Sequence, residues 1–176
     1  TPQGAPPRCV PDPAACGQDE FGGIEQGAGV AFVAADAAPG GDGTRAHPFS
    51  TLFAALNTEP PAATVAVAAG TYVESRLVSR SVQIRGRCAA MVKLVGKNGK
   101  AALWFEPEGG TLAATLAGMT VSGPAEGVVV GGAAQVQIAG VAVVQTKGAG
   151  IAVVAAAAAA TAVDCVVDDV APATAS

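Results

Sequence analysis

The sequence has few of the side chains that most often perform chemistry or stack on a ligand. Its 176 residues include one histidine, one tryptophan and one tyrosine, and aromatic residues make up 4% of the chain. Charged residues make up 14%, and the formal net charge is −4 at pH 7. Because nucleic-acid surfaces combine a basic groove with stacking aromatics, this composition predicts no nucleic-acid partner. The low charge equally disfavours a disordered acidic chain.

Long apolar runs are also missing. The longest uncharged stretch, residues 127–146, is interrupted by glycines and glutamines, which predicts no membrane span. The chain has instead 23 glycines, 12 prolines and an apolar content of 51%, in which alanine and valine dominate. A chain of this length can bury one core, and here that core must be built from many small side chains.

The cysteines suggest an oxidising environment. Cys9 and Cys16 lie in the proline-rich segment "PPRCVPDPAACG", where a short Cys9–Cys16 disulfide would suit an exported protein. A zinc site remains an alternative, although two further ligands are not evident. We interpret residues 1–28, which show no sustained period, as a linker or tail. The expected location is extracellular, either secreted or at the cell surface.

The rest of the chain repeats weakly. One set of similar segments is "LAGMTV" (116–121), "IAGVAV" (138–143) and "AVDCVV" (162–167), and a second set is "ALWF" (102–105), "GVVV" (127–130) and "GIAV" (150–153). Both sets advance by about 22–25 residues, which predicts stacked coils of short strands that bury a common core.

Register within the coils predicts which side chains point inward. Met119 and Val121 align with Val141 and Val143, and then with Cys165 and Val167. Gly118, Gly140 and Asp164 share the preceding bend. The alanine-rich segment 152–163 has helical propensity, but its place in the repeat predicts a bend and strands instead. Cys165 is therefore expected in the core, too many coils from Cys88 for a disulfide.

One stretch near the start resembles a known family. "GDGTRAHPFSTLFAAL" (41–56) followed by "TVAVAAGTYVES" (64–75) resembles the N-terminal module of parallel β-helix proteins of the pectin-lyase-like superfamily. The resemblance implies an all-β, right-handed, single-stranded parallel β-helix over residues 29–176. Its cap would span residues 29–60 and its coils residues 61–176.

The cap is expected to be a short helix that covers the open end of the first coil. Ser50 is its predicted N-cap, and Phe49, Leu52, Phe53 and Leu56 form its predicted apolar face. No comparable cap follows the last strand pattern. We therefore expect that further coils or another chain continue the solenoid there.

The resemblance also implies chemistry based on carboxylates, either paired acids or a calcium site. Asp164, Asp168 and Asp169 are the candidates for catalysis. No cofactor is expected, and calcium bound by these carboxylates is the weaker alternative. The alternative interpretation is a polar bend beside a solvated strand end. Glu106 and Glu108 form a second candidate pair. Other polar motifs receive structural interpretations: "GGDGT" (40–44) as a turn, His47 as a non-catalytic residue, and Trp104 as a packed side chain.

Cations are concentrated in one part of the chain. Residues 76–100 contain seven basic residues and no acidic residue, although the whole chain is acidic. This pattern predicts a basic band that contacts an acidic polysaccharide, with a simple solvated band as the alternative. The predicted ligand-binding residues are Arg76, Arg80, Arg85, Arg87 and Lys93.

Three functions remain open from the sequence. The first is a non-enzymatic extracellular β-helix scaffold that binds a surface or an acidic glycan. The second is the N-terminal part of a polysaccharide lyase or glycoside hydrolase, which rests on fold resemblance alone. The third is a structural stalk of a larger surface protein.

Overall fold

The computed structural model describes residues 12–168, which form a parallel β-solenoid of about four turns. Its strands form three sheets in which every pairing is parallel and joins strands of successive turns. This confirms the predicted all-β parallel β-helix. Sheet A contains β1 (Val30–Val33), β2 (Thr64–Val67), β5 (Val82–Gly86), β8 (Leu112–Ala117), β11 (Ala134–Ala139) and β14 (Ala159–Val163).

The other two sheets complete each turn. Sheet B contains β3 (Gly70–Val73), β6 (Val92–Val95), β9 (Thr120–Gly123), β12 (Ala142–Thr146) and β15 (Val166–Asp168). Sheet C contains β4 (Arg76–Val78), β7 (Leu103–Phe105), β10 (Val128–Val130) and β13 (Ile151–Val153). The helices are a 3-10 turn at Pro13–Ala15 and α1 at Leu52–Leu56.

The observed register agrees with the repeat in the sequence. Val121 pairs with Val143, which in turn pairs with Val167, and Met119 and Val141 are also buried. Cys165 packs against this core and is a free thiol. Val167, on β15, is 51% exposed and is not buried as the register predicts. Alternate side chains therefore stack inward from turn to turn, as the sequence predicts.

The bends follow the same register. Gly118, Gly140 and Asp164 have φ angles of +63°, +58° and +52°, a region that glycine adopts freely and aspartate tolerates. The alanine-rich segment 152–163 forms the end of β13, a turn and β14, so its helical propensity is overridden by pairing with β10 and β11.

The cap helix covers the first turn with a smaller face than predicted. Leu52, Ala55 and Leu56 are buried, but Phe53 is 53% exposed and does not belong to the packed face. The N-cap is Thr51 rather than Ser50, since the Thr51 side chain accepts a hydrogen bond from the Ala54 amide. The buried residues follow the i, i+3, i+4 spacing of one helix face, and Phe53 lies outside that face.

Glu74, which follows β3, binds the first amides of this helix. Its buried carboxylate accepts hydrogen bonds from the amides of Leu52 (2.9 Å) and Phe53 (3.2 Å), and it forms an ion pair with Arg76 (2.7 Å). These amides are donors that the helix itself cannot satisfy. The glutamate of the "GTYVE" segment therefore links the first coil to the cap.

Tyr72 fixes the same segment to the neighbouring strand ends. Its hydroxyl lies 2.9 Å from the carbonyl oxygen of Ala68, to which it donates, and 3.3 Å from that of Val33. Burial raises the pKa of Tyr72, so the phenol stays neutral and remains a donor. The contacts of Tyr72 and Glu74 give the segment "TVAVAAGTYVES" (64–75) a structural role.

The segment before β1 packs against the solenoid. Cys16 forms a disulfide with Cys88, with their Cα atoms 5.6 Å apart, and Phe21 is fully buried against Phe32. The predicted Cys9–Cys16 pairing is therefore wrong, because Cys16 bonds to a residue of the first coil; Cys9 lies outside the described residues. We call residues 16–26 the strap.

Arg45 anchors the strap through several contacts. Its guanidinium donates to the Ile24 carbonyl (2.7 Å), pairs with Asp19, and lies 5.2 Å from the centre of the Phe21 ring. Its backbone amide donates to the Gln26 side chain (2.6 Å). The predicted linker thus has fixed contacts from Cys16 onward, and these cover the outer side of β1 and β2.

Asp19 makes the strap sensitive to acid. Hydrogen bonds from the Gly23 amide, the Arg45 side chain and the Phe21 amide hold the pKa of Asp19 below its ordinary value. A carboxyl whose pKa is lower in the folded chain stabilises the fold above about pH 4, and this contribution is lost as the pH falls through the lowered pKa.

We therefore expect the thermal midpoint of the wild type to fall more steeply below about pH 4 than that of Asp19→Asn. Circular dichroism melts between neutral and strongly acid pH measure the two profiles. Glu25→Gln, at an exposed position of the same segment, serves as the control and should follow the wild type. Parallel profiles of Asp19→Asn and wild type would contradict the assignment.

Candidate ligand-binding groove beside Trp104

Three of the five predicted cationic ligand-binding residues are occupied by contacts within the protein. Arg80 donates to the Leu56 carbonyl at the end of α1, and Arg87 donates to the Gly17 carbonyl of the strap (2.6 Å). Arg76 pairs with Glu74, and its guanidinium lies 4.7 Å from the centre of the Phe53 ring. These cations attach the cap and the strap to the first coils.

The remaining two cations lie on different sheets. Arg85 is exposed on β5 in sheet A, where Val82 and Ile84 point inward, and Lys93 is exposed on β6 in sheet B. The cluster in the sequence is therefore spread over different sheets. Its dispersal follows from the fold, because successive strands of one turn belong to different sheets.

Two of the three predicted catalytic carboxylates lie in the last described turn. Asp164 is exposed at a bend, Asp168 ends β15 in register with Val144, and Asp169 lies outside the described residues. Within residues 12–168, no group of three or more histidine, cysteine, aspartate or glutamate side chains could hold a metal ion. The bend position of Asp164 agrees with the alternative structural interpretation.

The cap loop is a turn, as predicted. The Asp42 side chain accepts a hydrogen bond from the Thr44 amide (2.9 Å), and the His47 carbonyl accepts from the amides of Asp42 and Gly43 (3.0 Å each). Hydrogen bonding to Thr44 lowers the pKa of Asp42. His47 itself is exposed.

One concave site lies on the outside of sheet C. Leu77 on β4 pairs in register with Trp104 on β7, and both side chains point away from the core, with 59% and 42% exposure. Their neighbours Arg76 and Val78, and Leu103 and Phe105, occupy the alternate positions. The prediction that Trp104 is a packed residue is therefore not what the structure shows.

Trp104 lies in a groove of about 560 Å³. The groove contains cations, carboxylates and apolar surface in one place, and its lining residues are Ser75, Arg76, Leu77, Gly99, Lys100, Ala101, Trp104, Glu106 and Glu126. We call it the Trp104 groove. Concave sites that combine apolar surface with a few polar groups are typical of ligand binding.

Gly131 lies close to two residues that line this groove. A Cβ atom at this position would lie 3.3 Å from the indole Nε1 of Trp104 and 3.6 Å from the carboxyl carbon of Glu106. The indole N–H donor and the Glu106 acceptor therefore lie close to the same point on the backbone.

The charged side chains of the groove differ in how many contacts hold them in place. Arg76 is fixed by Glu74 and Phe53, whereas Lys100 is exposed and makes no ion pair within the described part of the chain. Glu106 is exposed and Glu126 is partly buried. The groove thus offers cations that can bind a carboxylate and carboxylates that can accept hydroxyl hydrogens.

Comparison with known families agrees with this architecture. A family described as a protein of unknown function (DUF1565) matches residues 36–169. The chain belongs to this family. The DUF1565 match includes the cap helix, the motif with Glu74 and the Trp104 groove, and begins after the strap. No curated protein and no solved structure matches the chain.

No helix in the described part of this DUF1565 protein is long and apolar enough to cross a membrane.

Proposed function

We propose that this DUF1565 protein is an extracellular β-helix binding module for an acidic saccharide, which it holds in the Trp104 groove. The observation that carries the proposal is the exposed Trp104 ring beside Leu77 in a groove with charges of both signs. Trp104 is the only tryptophan of the chain, and it lies at an outward position that the core does not require.

The chemistry of the groove suits a sugar acid. An aromatic face can pack on the C–H side of a sugar ring, as exposed aromatic rings do with amphipathic ligands. Lys100 and the fixed Arg76 can pair with a uronate carboxylate, while Glu106 and Glu126 accept hydrogen bonds from hydroxyl groups. The Cys16–Cys88 disulfide supports an oxidising, extracellular environment.

A second function is favoured by one observation. Glu106 and Glu126 line the same groove, and paired carboxylates are the usual machinery of glycoside hydrolysis. As a glycosidase, the protein would use one as the general acid and the other as the base or nucleophile. Assay of new reducing ends after incubation with polygalacturonate separates this function from binding alone.

We expect Trp104→Ala to weaken binding of polygalacturonate by about 2 kcal/mol, or about 30-fold in Kd, because it removes the aromatic contact surface. Native gel electrophoresis through immobilised polygalacturonate, at low and high salt, measures the affinity. Binding by the wild type should weaken as salt rises, since Lys100 and Arg76 contribute charge.

Glu108→Ala is the matched control for this experiment, because Glu108 is exposed and lies outside the groove. It should bind at least as well as the wild type. Equal retardation of Trp104→Ala and wild type would exclude the groove as the binding site. If the wild type neither binds nor cleaves the polymer, the stalk interpretation is preferred.

A further inference from the structure

Sheet A carries a regular row of uncharged polar side chains on its outer face. Gln83 on β5 pairs in register with Thr115 on β8, which pairs with Gln137 on β11 and then with Thr161 on β14. Amide and hydroxyl side chains therefore alternate along the solenoid axis. Strand spacing places them about 4.8 Å apart, so the amides recur at about twice that distance.

This row lies in a groove separate from the Trp104 groove. The groove has a volume of about 460 Å³, and its lining contains serine, threonine, glutamine, alanine and valine residues but no charged residue. Ala113 and Ala159, on the neighbouring outward row, are small and leave the groove shallow. A flat ligand can approach the sheet closely along this face.

The polar groups of the row are available to a ligand. Within the described part of the chain, the side chains of Gln83, Thr115 and Gln137 have no hydrogen-bond partner, and both glutamines are exposed. Gln135, by contrast, donates to the Ala157 carbonyl (2.9 Å) and is held by the fold. Each free amide offers two donor hydrogens and an acceptor oxygen, and each hydroxyl offers both functions.

We infer that this face binds an uncharged, extended, β-linked glycan of the cellulose or chitin type, lying along the solenoid axis. The absence of charge from the groove lining excludes ionic recognition, so the ligand is identified by hydroxyl or amide groups. In such a glycan each sugar is inverted relative to the previous one, so equal groups recur at every second sugar. The amides of the protein recur in the same way, at every second strand.

The inference goes beyond the proposed function because it concerns another sheet and another ligand class. The Trp104 groove on sheet C carries charge, and its binding is expected to depend on salt. The row on sheet A is neutral, and its binding is expected to be insensitive to salt. A protein with both sites would join an acidic polysaccharide to a neutral one.

Affinity electrophoresis through hydroxyethyl cellulose, and separately through glycol chitin, tests the inference. We expect at least one of these neutral polymers to retard the wild type equally at low and high salt. Gln83→Ala combined with Gln137→Ala should weaken that binding about 10-fold, through loss of several neutral hydrogen bonds. Gln18→Ala, the same change at an exposed position of the strap, should have no effect.

The outcomes separate the two sites. Trp104→Ala should keep binding to the neutral polymer. The glutamine double variant should keep the circular dichroism spectrum and melting temperature of the wild type, which shows that it is folded. The inference is overturned if neither neutral polymer retards the wild type, if the double variant binds them normally, or if Trp104→Ala abolishes the binding. None of these results depends on whether polygalacturonate binds.

Discussion

Replacing Glu74 with alanine is expected to lower the free energy of unfolding by about 3 to 4 kcal/mol. The change removes the acceptor for two amides at the start of α1 and leaves Arg76 without its ionic partner. Glu74 is 5% exposed, so water cannot readily replace the lost bonds. Urea unfolding monitored by circular dichroism measures the effect.

Two variants show whether the effect has this cause. Glu74→Gln keeps one acceptor oxygen but loses the charge, so about half the destabilisation should remain. Glu108→Ala, at an exposed glutamate, should change the free energy of unfolding by less than about 0.5 kcal/mol. A loss below about 1 kcal/mol for Glu74→Ala would show that the carboxylate does not hold the cap.

The same variant also tests the role of α1 as a cover. The helix buries Leu52, Ala55 and Leu56 over the first coil. The outer edge of β1 beside it is already hydrogen-bonded to Gly43 and Phe49. If Glu74→Ala loosens the helix, the apolar surface beneath it becomes available for self-association. Sedimentation should then detect oligomers at concentrations where the wild type is monodisperse.

The coils of this protein could be predicted because one physical constraint repeats in them. A stacked coil needs an inward apolar residue and a tolerant bend at the same place in every turn, and Val121, Val143 and Gly140 show this directly in the sequence. The same register overrides the helical propensity of the alanine-rich segment. A strand or bend that recurs in every turn is indicated several times in the sequence, whereas the helical propensity of one segment is indicated only once.

The strap and the charged residues could not be predicted in this way, because each of their contacts occurs once. Nothing in the residues around Cys16 shows that the segment folds back onto Cys88, and nothing around Arg80 or Arg87 shows that each donates to a carbonyl. These cations resemble a binding surface in the sequence but serve as attachments. Single long-range contacts leave no periodic signal.

The Trp104 groove could be predicted from the sequence only in part. The alternation in "ALWF" places Leu103 and Phe105 inward, so the register alone assigns Trp104 to the outer face. The meeting of Lys100, Glu106 and Glu126 around it depends on loops from different turns. The position of the aromatic ring was therefore available from the sequence, while the composition of the groove required the fold.

The Cys16–Cys88 disulfide should make the largest single contribution to stability. Replacing both cysteines with serine is expected to lower the free energy of unfolding by about 4 kcal/mol, because the bond closes a long loop in the unfolded chain. The sequence separation of 72 residues sets this estimate. Cys165→Ser, at the free and partly buried thiol, is the control and should cost less than about 1.5 kcal/mol.

The disulfide could act on the unfolded chain, by closing a long loop, or on the folded chain, by holding the strap in place. The other contacts of the strap distinguish these two effects. Phe21 and Arg45 hold the strap independently of the disulfide, so its amides should remain protected from hydrogen exchange in the double variant. Global stability would then fall although the folded structure is unchanged, because the bond acts mainly on the unfolded chain. Loss of protection confined to residues 16–26, with an unchanged urea midpoint, would contradict this account and make the disulfide a local attachment.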